Sequence, residues 1–193
     1  MFRYFVIYKP FGMLSQFSPE GDRQTLAALG DFDKDIYPVG RLDADSEGLL
    51  VLTNDKRMNA ALLDPIEKHF RVYYAQVEGE IGDEALSKLK SGIEIKIKGK
   101  RHFTAPAKAI KIVEPALPLR DPPIRFRKNI PTSWLELRIT EGKNRQVRRM
   151  TAAAGLPTLR LVRWAIEDLT LASFDAGEVK EFQQNEIVNL LKL

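Results

Sequence analysis

Gly40-Arg41-Leu42-Asp43-Ala44-Asp45-Ser46-Glu47-Gly48 places three carboxylates at alternate positions of a loop, directly ahead of the apolar run Leu49-Leu50-Val51-Leu52. Alternating acids followed by glycine match the first half of a calcium-binding EF-hand loop. The second half departs from that pattern. Asn54 stands where a bidentate glutamate would close the coordination sphere, and Ile36-Tyr37-Pro38-Val39 offers no incoming helix. A carboxylate held at the mouth of a strand near cationic groups can instead act as a nucleophile or base. Three solvated loop acids would have the same spacing, so residue types alone leave the choice open.

A second constellation is cationic. Residues 120–163 hold 11 basic side chains against three acidic ones, whereas residues 1–119 hold 17 of each and the last thirty carry a net −4. A basic stretch inside a folded domain is the electrostatic footprint of a polyanion site, although a solvated charged face has the same composition. Within it, Arg145, Arg148 and Arg149 share one face of an expected helix over 144–154 through their i+3 and i+4 spacing. Arg125, Arg127 and Lys128 fall near the tip of a loop over 115–131, which contains five prolines. No other stretch of the chain carries as large an excess of positive charge.

The elements that must position these groups follow from local pattern. Phe2 to Tyr8 is rich in aromatic and β-branched residues and stops at Lys9-Pro10-Phe11-Gly12, which predicts a strand and a turn. Residues 48–53 predict a buried strand, followed by a short helix capped by Asn54 or Asp55 and ending near Leu63. Further strands are expected over 70–77, 93–97, 133–140 and 158–166, with a helix over 84–91 capped by Asp83 and stopped by Gly92. Strands outnumber helices and do not alternate with them, so an α+β fold on a largely antiparallel sheet is expected in place of a doubly wound one. The length of 193 residues suits one domain, here expected as two lobes sharing a sheet with a cleft near Asp43 and no accessory domain ahead of it.

Composition narrows the function classes. Hydrophobic residues make up 44% and charged residues 29%, which suits a globular chain and not a disordered one. There are no cysteines, and the two histidines, His69 and His102, lie far apart in sequence, so neither a disulfide framework nor a thiolate metal site is available. No apolar run approaches the ~20 residues that span a bilayer and no signal-peptide pattern opens the chain, so a cytoplasmic protein is expected.

Gly40 to Asp55, read together as G-R-L-D-A-D-S-E-G-L-L-V-L-T-N-D, resembles the signature of ribosomal pseudouridine synthases. The resemblance continues in Tyr8-Lys9-Pro10-Phe11-Gly12, in Arg71-Val72-Tyr73-Tyr74-Ala75-Gln76-Val77 and in Glu141-Gly142-Lys143-Asn144-Arg145-Gln146-Val147-Arg148-Arg149-Met150. Pro122-Pro123-Ile124-Arg125, Ile130 to Leu135 and Gly155 to Leu161 are similar to a subgroup acting on the large ribosomal subunit. Arg71 stands where the family often has lysine, which keeps the charge.

The resemblance implies an isomerase of uridine in 23S ribosomal RNA with no cofactor and no metal, and a monomer is expected. It assigns the nucleophile to Asp43 and the cation that pairs with it to Arg148, an arrangement that favours an ionised carboxylate. Tyr73 falls on the family tyrosine that stacks on the target base, although a core tyrosine in a strand has the same pattern. Because a stacked base is out of reach, the uridine must be flipped out. Arg41 is the candidate wedge for the gap, and Arg71, Lys143, Arg145, Arg149, Arg125, Arg127 and Lys128 are the expected RNA contacts. A non-catalytic RNA-binding module on the same fold is the second reading, against which the presence of Asp43, Tyr73 and Arg148 together argues.

Overall fold

The computed structural model describes residues 1–193 apart from Arg125, Phe126 and Lys128. Along the chain run β1 (Tyr4–Lys9), β2 (Tyr37–Pro38), β3 (Glu47–Thr53), α1 (Lys56–Leu63), β4 (Arg71–Glu78), α2 (Asp83–Ser91), β5 (Glu94–Ile97) and β6 (Lys100–Phe103). They are followed by β7 (Lys108–Ile112), β8 (Thr132–Ile139), α3 (Gln146–Ala153), β9 (Thr158–Ile166), β10 (Leu169–Thr170), β11 (Val179–Phe182) and α4 (Gln184–Leu191). The fold is α+β with mostly antiparallel strand pairing. The chain divides into two compact units, one of Met1–His69 with Arg163–Leu193, the other of Phe70–Val162.

In the first unit β1 lies between β3 and β11, with Val6 opposite Val51 on one side and Lys180 on the other. Every residue of β1 and β3 is buried. Strands covered on both faces have no polar side to present, which is why these two read as continuous apolar runs and not as alternating ones. Phe5, Ile7, Leu50 and Leu52 share one core cluster with Met13, Leu26 and Ile36. Past β3, Asp55 caps α1 by accepting from Arg57 N at 3.0 Å, and the helix ends ahead of Asp64-Pro65.

In the second unit β8 lies between β4 and β7, and Leu137 faces both Tyr73 and Ala109. Ala75, Val77, Leu135, Leu137 and Ile139 form its core with Val147 and Met150 of α3 and Leu89 of α2. Two expected boundaries move. Gly82, not Asp83, is the N-cap of α2, and Asp83 joins Glu84 in the first turn, where negative charge meets the helix N-terminus. Helix α3 starts at Gln146 and not at Asn144, because Arg145 takes a left-handed backbone (φ 51°) that breaks the helical path. Strands β2, β6, β7, β10 and β11 and helix α4 were not anticipated from pattern. No helix among the described residues is long and apolar enough to cross a membrane.

Candidate active site

The acidic loop is built by short backbone bonds. Ser15 Oγ donates to Leu42 O at 2.9 Å and accepts from Leu42 N at 3.1 Å, so both polar groups of the residue before Asp43 are held by one side chain. Ser46 N donates to Asp43 O at 3.0 Å, closing a turn over residues 43–46, and Gly12 N donates to Ala44 O at 2.7 Å. The turn after β1, which contains Pro10-Phe11-Gly12, therefore braces the loop that presents Asp43. Asp43 and Asp45 are half-buried, Arg41 is exposed, and Glu47 is 3% exposed at the start of β3. Strands β2 and β3 flank the loop, which is not the helix–loop–helix geometry of an EF-hand.

Gly48 marks a close approach. Its φ is +114°, and a Cβ there would lie 2.4 Å from Arg163 O and 2.7 Å from Arg163 N, so only glycine lets β9 backbone pass behind the acidic loop. The rest of the signature is structural. Thr53 Oγ1 donates to Arg3 O at 2.7 Å, Asn54 Oδ1 accepts from Arg3 N at 2.9 Å, and Tyr4 OH donates to Asp55 Oδ2 at 3.0 Å. Thr53-Asn54-Asp55 thus ties the start of β1 to the cap of α1. The Arg57 guanidinium and backbone N–H hold the Asp55 carboxyl below its usual range.

Lys9 is the residue that spacing alone passed over. Its side chain is fully buried, and Nζ donates to Pro10 O at 2.8 Å and to Met13 O at 2.7 Å. Burial pushes its pKa down to about 8, against the pull of Glu47, Asp45 and Asp43 and with a further push from Arg163. Arg163, 4% exposed, donates through Nε to Leu49 O at 2.8 Å. The acids of the loop thus share their surroundings with two buried cations. A lone lysine closing an apolar strand ahead of proline was the available signal for Lys9; Arg163, inside β9, gave none.

The remaining expected site residues are in the second unit. Tyr73 is half-buried on β4 and packs against that unit's core. Arg71, at the head of the same strand, is half-buried. Arg148 donates through Nη1 to Thr158 O at 3.3 Å. The turn into α3 is stitched by Gln146, whose Oε1 accepts from Lys143 N at 3.0 Å and whose Nε2 donates to Glu141 Oε2 at 2.8 Å. Burial alone would raise the Glu141 pKa, but Ala105 N–H, the Gln146 amide and nearby His102 lower it instead. Lys143 is exposed, and Arg145 occupies the left-handed position before α3.

Arg149 and Arg127, both expected RNA contacts, engage other parts of the protein. Arg149 donates to Asn144 O, Asn144 Oδ1 and Lys96 O, the last at 2.6 Å, which makes it a clamp between α3 and the β5–β6 hairpin. Arg127 pairs with both oxygens of Glu78 at 2.9 Å. Arg125 and Lys128 lie outside the described residues.

Residues 3–153 match the family profile described as RNA pseudouridylate synthase. Ribosomal large subunit pseudouridine synthase E of Vibrio parahaemolyticus is 48% identical over 178 residues, covering 92% of this chain and 73% of the relative. The protein of the same name from Xanthomonas axonopodis pv. citri is 51% identical over 170 residues, covering 86% of each. A crystal structure of a pseudouridylate synthase superposes with a TM-score of 0.78 at 26% identity, over 98% of this chain and 74% of that one. With the acidic loop, the Tyr73 strand and the turn into α3 all inside the matched span, the chain belongs to the RNA pseudouridylate synthase family.

Proposed function

We propose that this enzyme isomerises a uridine of large-subunit (23S) ribosomal RNA, acting as a monomer with Asp43 as its nucleophile. The observation that carries the proposal is the acidic loop. The backbone on both sides of Asp43 is held by Ser15, Gly12 and Ser46, while its half-buried side chain stays within reach of a substrate. A reacting group held this firmly needs little reorganisation when its partner arrives. The names of the two relatives above, both large-subunit enzymes, favour 23S RNA as the substrate.

The reaction breaks the bond from ribose C1′ to uracil N1, turns the base, joins C5 to C1′, and exchanges the C5 proton for one on N1. Product and substrate are isomers, so the chemistry calls for no oxidant, reductant or group donor. A carboxylate at position 43 has three courses: attack on the ribose carbon, attack on the base, or removal of a ribose proton. From the motif resemblance, Tyr73 is the candidate ring for the flipped base and the candidate hydroxyl for the C5 proton, and Arg148 is the candidate cation of the reaction.

The test of substrate is direct. Purified enzyme incubated with unmodified 23S and 16S transcripts should place pseudouridine at a defined position in the 23S RNA. Modification of 16S RNA alone would overturn the large-subunit assignment.

A further inference from the structure

A second basic run lies upstream of residues 120–163. From Ile95 to Val113 the chain holds Lys96, Lys98, Lys100, Arg101, Lys108 and Lys111 and no acidic residue. The acids of residues 1–94 cancel this run when the first 119 residues are averaged. All six side chains are exposed, and the first four crowd the β5–β6 hairpin. Arg101 lies 3.6 Å from Glu94, but among the described residues no ion pair engages Lys96, Lys98 or Lys100.

The hairpin carries this charge against its own structural preferences. Ile97 faces Lys100 across a two-residue turn, Lys98-Gly99, in which both residues have positive φ (49° and 80°). Such a type I′ turn favours Asn-Gly, and lysine in the left-handed position is strained. Lys96 lies opposite Arg101, and like charges in facing positions weaken a strand pair. Local choices that disagree with the fold mark sites kept for another purpose.

The hairpin is nevertheless firmly mounted. Ile95 is buried in the core of the second unit, Thr104 N donates to Ile93 O, and Ile93 N donates to Thr104 Oγ1. Gly92 passes so close that a Cβ would lie 2.4 Å from Thr104 O. Arg149 reaches from α3 to Lys96 O, and His102 Nε2 lies 3.2 Å from Glu141 Oε1 in the turn before α3. The exposed cations thus stand on a finger tied to the helix that carries Arg148.

We infer that the β5–β6 hairpin is an RNA-docking surface, with Lys96, Lys98 and Lys100 contacting backbone phosphates. The inference rests on the RNA-modifying reading above, which supplies the polyanion, while rigid mounting and uncompensated charge supply the complementary surface. A base-reading role is not required, since phosphate contacts set register without carrying sequence.

The test uses Lys96→Thr, Lys98→Asn and Lys100→Thr together, each replacement suited to its strand or turn position. Thermal unfolding should be unchanged or occur at higher temperature, because the asparagine relieves the turn. RNA affinity near 0.1 M salt should fall at least tenfold, and the log–log salt slope should flatten by roughly two units, at about 0.7 to 0.9 per lost phosphate contact. A control with Lys34→Ser, Lys56→Ser and Lys90→Ser removes equal charge elsewhere and should bind RNA like the parent. An unchanged slope in the hairpin variant, or an equal loss in the control, would overturn the inference. So would displacement of RNA by polyglutamate at matched charge concentration, which would make the hairpin a general acidic-polymer site. Pseudouridine formation by the parent on the same RNA separates this question from the reading it rests on.

Discussion

Lys9→Met tests the buried ammonium beneath the acidic loop. Lys9 is fully buried, and burial lowers its pKa from 10.5 to about 8. In the unfolded chain the amine regains its ordinary value, so between these two pH values the unfolded state binds more protons than the folded state. Stability therefore rises with pH across that window. The cost of burying the charged form is present in full below about pH 8 and is relieved as pH approaches 10.5. The whole shift corresponds to roughly 3 kcal/mol, and integrating the two titrations from about pH 7 to about pH 9.5 gives about 2 kcal/mol. Methionine preserves length and has no proton to lose. Its failure to donate to Pro10 O and Met13 O lowers stability by an amount that does not vary with pH. Urea unfolding of both proteins at the two pH values isolates the effect, because every other titrating group, including Tyr4 with its pKa raised to about 12, cancels in the double difference. The parent should gain about 2 kcal/mol on the variant at the higher pH. Parallel behaviour to within about 0.5 kcal/mol would refute a charged, desolvated Lys9 beside the loop acids.

Two further substitutions probe the two units separately. Gly48→Ala forces a Cβ to 2.4 Å from Arg163 O at positive φ, and should destabilise by roughly 3 kcal/mol or more, lowering the thermal midpoint by about 6–12 °C. A midpoint within ~2 °C of the parent would mean that β9 does not pass as closely as described. Tyr73→Phe should bind RNA nearly as well as the parent yet turn over more slowly, because stacking needs the ring and proton transfer the hydroxyl, while Tyr73→Ala should lose both. Equal single-turnover rates for the phenylalanine variant and the parent would confine Tyr73 to packing or stacking.

The sequence was most legible where one force dominates. The apolar runs that became β1 and β3, the Asp55 cap and the strand over 158–166 all follow from burial or from a satisfied helix terminus. It was least legible where a strand is short, exposed and charged: β6 reads Lys-Arg-His-Phe and has no apolar alternation, so only its pairing with β5 makes it a strand. The same exposure concealed the basic hairpin, whose charge vanished in a long average. Lys9 escaped because a lysine is ordinarily a surface residue, and what buries it here is tertiary, the Pro10 and Met13 carbonyls with the acids of a loop more than thirty residues away. Arg127 and Arg149 met partners, Glu78 and Lys96 O, that no local spacing could indicate.

The most direct test of the account is release of tritium from RNA carrying [5-³H]uridine, measured under single-turnover conditions with the parent, Asp43→Asn and Asp45→Asn. Joining C5 to the ribose expels the C5 hydrogen, so every turnover is counted without reference to the target position. The parent and Asp45→Asn should release tritium, and Asp43→Asn none above background despite RNA binding close to that of the parent. Substantial release by Asp43→Asn, or its loss in a folded Asp45→Asn protein, would contradict the assignment of the nucleophile to Asp43.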